Sequence, residues 1–129
     1  MKPGIQGRRT YPVTKEVLAS AFGSGLVDVY ATPAMIAAIE NTAALSVESE
    51  LEEGYTTVGT QVSVSHVSAT PEGMTVTVET TLTEVSANGR LLTFAVRASD
   101  DMGLIGEGTH VRAIVNKARF EQKALNKGK

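Results

Sequence analysis

Four side chains capable of reaction chemistry stand out in a chain of 129 residues: Thr32, Glu40, His66 and Arg112. A carboxylate, an imidazole and a hydroxyl form the usual set for activating water or another oxygen nucleophile. A guanidinium recognises a carbonyl, a phosphate or another anionic group. Glu40 is the most informative of the four. Its helical neighbours three and four residues away are Ile36, Ala37, Ala43 and Ala44, and no Lys or Arg lies within a turn of it. A carboxylate buried in such a run without a purpose is costly. Either it reaches water through a gap in the neighbouring structure, or it is a general base or nucleophile made reactive by its apolar surround.

His66 falls on the row of its strand that carries Val62 and Val64, close to a turn where a cleft can reach it. Its plain reading is a satisfied core histidine; its chemical reading is the partner of a carboxylate. Thr32 has an obvious role as helix N-cap, since Pro33 follows it at the first helical position. Thr32 and Glu40 lie eight residues apart, about 12 Å along a helix axis. A third group, a substrate or a second subunit must bridge them if they serve one site. His110 and Arg112 share a strand face with Gly106 and Gly108, opposite Ile105, Val111, Ala113 and Val115, if no bulge intervenes. There a surface ion pair competes with anion recognition for Arg112. Zinc spacing is absent, so no metal is expected. Phosphate-binding glycine loops are absent too, because Gly103, Gly106 and Gly108 lie within or beside a strand.

The elements that must position these groups are legible. Apolar residues fill nearly every side of a helix from about 33 to 47, as in a helix enclosed by other structure. Alternation predicts strands over about 58–67, 74–83, 91–98 and 104–116, with an early strand around 8–14. In the first of these, Val58, Val62, Val64 and His66 share one face, with Gly59, Gln61, Ser63 and Ser65 on the other. Thr70-Pro-Glu-Gly73, Asn88-Gly89 and Asp100-Asp-Met-Gly103 mark the turns. Strand, buried helix, then four antiparallel strands is an α+β order. It predicts one antiparallel sheet wrapped around a long central helix, the hotdog fold. Residues 1–129 read as a single domain, with a basic, solvated tail over about 117–129.

Composition narrows the functions. Hydrophobic residues make up 42%, charged residues 20%, and the net charge is −2. The chain is ordinary globular material with no general attraction to nucleic acid or anionic membranes. Cysteine is absent, which excludes disulfides, thiolate nucleophiles and Cys-ligated metals and agrees with a cytoplasmic protein. The first residues carry charge without an apolar stretch behind it, so no secretory signal is expected.

The segment from Thr60 to Val78, Thr-Gln-Val-Ser-Val-Ser-His-Val-Ser-Ala-Thr-Pro-Glu-Gly-Met-Thr-Val-Thr-Val, together with Gly108-Thr-His-Val-Arg112, resembles the fluoroacetyl-CoA thioesterase-like group of hotdog thioesterases. The resemblance implies a catalytic set at Thr32, Glu40 and His66, with Gly59 and Arg112 lining the acyl pocket. It implies no cofactor beyond the coenzyme A of the substrate, and a homodimer or dimer of dimers. It places a lid over the stretch holding Phe22, Leu26 and Tyr30. Gly23 and Leu26 stand there where the family's phenylalanines are expected. A short-chain acyl-CoA thioesterase is therefore the inference carried forward, rather than a fluoroacetyl-selective one. The alternative from another class is a module that binds acyl-CoA or an acylated carrier without turning it over. A hydratase or dehydratase needs a separate Asp/His pair at the helix start, and none is present.

Overall fold

The computed structural model describes residues 1–129. Strand β1 spans Gln6–Pro12 and is followed by a short helix α1, Ala19–Phe22. The long helix α2 runs Thr32–Val47. Strands β2 (Tyr55–His66), β3 (Thr75–Val85), β4 (Leu91–Asp100) and β5 (Gly103–Asn116) come next, and helix α3 (Lys117–Leu125) closes the order. The strands form one five-stranded antiparallel sheet in the order β1-β3-β4-β5-β2. This is the hotdog arrangement expected from the element order.

Alternation in β3 and β4 builds the core. Val76, Val78, Leu82, Leu92, Phe94 and Ala98 are fully buried on the helix-facing side. They meet Met35, Ile39, Ala43 and Val47 of α2. Small residues let the layers close up: a Cβ on Gly106 would stand 2.9 Å from Met35 Sδ.

The helix differs from expectation in one respect. It is not enclosed on every side. One five-stranded sheet covers one side of it, and Pro33, Ala37, Asn41 and Leu45 remain exposed on the other. The basic tail forms a short, exposed helix. Asn116 caps α3, its side chain accepting from Arg119 N at 3.0 Å.

Two bulges alter the faces read from strict alternation. In β2, Gly59 pairs with Arg112 but Gln61 pairs with Val111, so Thr60 is the extra residue. Thr57 and Gly59 therefore face the helix before the bulge, and Val62, Val64 and His66 face it afterwards. Strict alternation had put Val58, not Gly59, on that side. In β5, Ala98 pairs with Gly106 and Ser99 with Leu104, leaving Ile105 unpaired. Ile105 is thereby buried beside the face of His110 and Arg112, not opposite it.

Candidate active site

Thr32 is the first residue of α2, not its cap. Ala31 occupies the N-cap position in an extended conformation, and Met35 N donates to its carbonyl at 3.0 Å. With the cap supplied one residue earlier, the Thr32 hydroxyl is free for another partner. It lies 2.7 Å from Nδ1 of His66, the last residue of β2. The His66 ring meets Tyr30 edge to face, with centroids 6.5 Å apart.

The second imidazole nitrogen, His66 Nε2, is buried and has no hydrogen-bond partner. Such an orphan is uncommon, because a buried polar atom without a partner forfeits its hydration. Burial lowers the His66 pKa from its ordinary value, and the nearby Ser68 backbone opposes the shift only in part. The ring is thus neutral at pH 7. Thr32 and His66 line an open cleft of about 360 Å³, together with Tyr30, Val27, Ser68 and Gly25.

Glu40 projects from the middle of α2 into a second cluster. Its Oε2 lies 3.4 Å from Arg112 Nη1, and its side chain is 41% exposed. The carboxylate is therefore neither in an apolar pocket nor simply in water. Its partner comes from β5, 72 residues away in sequence, beyond the reach of local spacing. Arg112 itself is buried. Its Nε donates to Thr57 Oγ1 at 2.8 Å and its Nη2 to the Thr57 carbonyl at 2.9 Å. Burial lowers the pKa of the guanidinium, and Glu40 works against that shift. Gly59 lies directly beneath the pair: a Cβ there would collide with Glu40 Oε2 and stand 3.5 Å from Arg112 Nη1.

The chain thus brings Thr32 to His66, and Glu40 to Arg112 and Gly59, as two half-sites. No hydrogen bond joins one half to the other. Sequence reasoning missed Thr57, since a threonine on a strand gives no signal, and it gave His110 no role.

The lid stretch is divided. Tyr30 is 3% exposed and forms a wall of the cleft, and burial raises its hydroxyl pKa to about 12. Phe22 is half-exposed at the end of α1, and Leu26 at the loop tip is 99% exposed. The loop is tied down at its base, where Ala19 N donates to the Val29 carbonyl at 2.8 Å. No group of His, Asp and Glu side chains is placed to hold a metal ion, and no helix is long and apolar enough to cross a membrane.

Comparison with known proteins gives the family. The family model described as fluoroacetyl-CoA-specific thioesterase matches residues 13–118. A fluoroacetyl-CoA thioesterase of Streptantibioticus cattleyicolor is 38% identical over 100 residues, which cover 78% of this chain and 70% of that protein. A solved structure of the fluoroacetyl-CoA thioesterase FlK superposes with a TM-score of 0.93 at 30% identity, covering 100% of this chain and 98% of the other. A hot-dog-like protein from Thermanaerovibrio acidaminovorans, 20% identical, superposes with a TM-score of 0.88 over 100% of this chain and 94% of its own, and shows the fold alone. The chain belongs to the fluoroacetyl-CoA-specific thioesterase family.

Proposed function

We propose that this thioester hydrolase cleaves short-chain acyl-CoA to free acid and coenzyme A, using Glu40, His66 and Thr32. The observation that carries the reading is the Thr32–His66 pair at 2.7 Å on the cleft wall, with the far imidazole nitrogen buried and unpartnered. A neutral imidazole oriented at one nitrogen and unpaired at the other is suited to moving a proton at the reacting centre. Glu40 supplies the oxygen nucleophile, directly or through a water it deprotonates. The carbonyl carbon gains that oxygen, the carbon–sulfur bond breaks, and the proton taken from the attacking water passes through neutral His66 to the departing thiolate. If Glu40 attacks directly, the thiolate leaves first; water then hydrolyses the acyl-enzyme anhydride, its proton passes through His66 to the thiolate, and the Glu40 carboxylate is regenerated. Backbone N–H groups at the start of α2 are the candidate oxyanion donors. Gly59 and Arg112 border the acyl end.

The two half-sites support a homodimer as the working form, with a second copy or the bound substrate closing the gap between them. The exposed apolar side of α2 and the unpaired outer edge of β2 are the surfaces such a partner would cover. The absence of cysteine fits a cytoplasmic location. The Leu26 tip differs from a phenylalanine lid, which favours a general short-chain acyl group over fluoroacetyl.

A panel of acyl-CoAs assayed by release of free thiol tests the function, and the cysteine-free protein adds no background. Hydrolysis of acetyl- to butyryl-CoA is expected. Binding without hydrolysis across the whole panel would replace the thioesterase by a binding module.

A further inference from the structure

His110 is fully buried, and both of its ring nitrogens are committed. Nδ1 lies 2.8 Å from the Gln61 carbonyl oxygen, and Nε2 lies 3.1 Å from Arg112 Nη1. A carbonyl oxygen only accepts, and a guanidinium only donates. Nδ1 therefore carries the proton, and Nε2 offers its lone pair to the arginine. A doubly protonated ring would set N–H against N–H. Stacking on Phe94, with centroids 6.4 Å apart and planes inclined by 30°, fixes the ring plane. Burial is the main influence holding the imidazole below its ordinary pKa. The Gln61 carbonyl opposes it, Arg112 reinforces it and Glu40 opposes it.

Arg112 is thus held by three neutral acceptors: His110 Nε2, Thr57 Oγ1 and the Thr57 carbonyl. Glu40 is its single anionic partner, at the longer distance of 3.4 Å. This division matters for chemistry in which the carboxylate changes charge. An arginine anchored mainly by its carboxylate would move when Glu40 is acylated or protonated. An arginine anchored by neutral groups stays where it is, and a charge that need not reorganise is the effective kind.

We propose that His110 is a positioning residue, which as its neutral Nδ1–H tautomer aims Arg112 at Glu40 and holds it there while the charge on Glu40 changes. The proposal rests on the reading of Glu40 as a group acting in thioester cleavage. The bulge at Thr60 sets the anchor, because Gln61 is the residue immediately after it.

Two substitutions separate this role from packing. His110→Gln keeps an acceptor near the Nε2 position, whereas His110→Phe keeps the flat ring against Phe94 and loses the acceptor. With acetyl-CoA, His110→Phe is expected to lower kcat at least tenfold with KM changed less than threefold, and His110→Gln to stay within about threefold of the parent. A folded His110→Phe enzyme with parental kcat would overturn the proposal. So would a His110→Gln enzyme as impaired as His110→Phe.

Nitrogen-15 NMR of the parent protein supplies a readout independent of turnover. It should show His110 Nδ1 protonated and Nε2 bare, unchanged by Glu40→Gln. The opposite tautomer, or a doubly protonated ring at neutral pH, would also overturn it. A parent protein that hydrolyses no acyl-CoA but shows the Nδ1–H tautomer would count against the thioesterase reading, leaving the hydrogen-bond assignment supported.

Discussion

At the scale of single residues, the useful contrast is between Thr32 as a cap and Thr32 as a partner of His66. A capping threonine replaced by alanine usually costs about 1 kcal/mol of stability. Here Ala31 holds the cap position and the hydroxyl points at Nδ1. Thr32→Ala is therefore expected to leave the melting temperature nearly unchanged while lowering kcat severalfold; calorimetry alongside steady-state kinetics decides. Glu40→Gln and His66→Ala should each cost at least tenfold in kcat, roughly 1.4 kcal/mol in barrier or more. Either variant, folded and turning over at the parental rate, would remove that residue from the reaction. The pH profile carries a sign. His66 must begin neutral to accept a proton, and burial lowers its pKa below 6.5. Activity should hold through neutral pH and fall only when acid protonates the ring, with a midpoint below the ordinary histidine value. An acid limb centred above 6.5 would contradict that assignment. At Gly59, a methyl group would meet the Glu40 carboxylate. Gly59→Ala should cut turnover while leaving the exposed strand backbone folded, as circular dichroism can confirm.

At the scale of elements, helix α2 and the four long strands were legible from periodicity, because a core on one side of a sheet imposes alternation on each strand. Phe94, Val96 and Ala98 face inward as their spacing requires. The same logic fails at a bulge, where one residue adds nothing to the partner's register. Thr60 has no special type to announce it, so Gly59 was assigned to the wrong face by alternation, even though the family resemblance put it in the site. The Glu40–Arg112 pair was illegible for a related reason: it is made by topology, across 72 residues, and local spacing carries no trace of it. Deleting Thr60 tests the bulge directly. The deletion must displace either Gly59 or the segment from Val62 to His66 to the opposite face. Loss of the cooperative unfolding transition or of activity is expected, and an intact, active deletion variant would show that the bulge is dispensable.

At the scale of the whole molecule, the open side of α2 explains why periodicity overstated the enclosure of this helix. Its sequence is apolar almost all round, while a single sheet covers only one side. The proposed second copy would cover the remainder. Light scattering at micromolar concentration should give at least twice the mass of one 13.6 kDa chain, and a clean monomer that retains full activity would refute a site shared between copies. The core itself should behave as one unit. Phe94→Ala removes a fully buried ring from its centre and is expected to cost about 3–5 kcal/mol, measurable by denaturant unfolding.

Leu26 stands 99% exposed at the tip of a loop in a chain with no cysteine. A single Leu26→Cys substitution therefore creates one thiol with no competitor, at a point where nothing is packed. A fluorophore attached there would report, molecule by molecule, whether that loop folds down over the cleft when an acyl-CoA arrives and how long it stays.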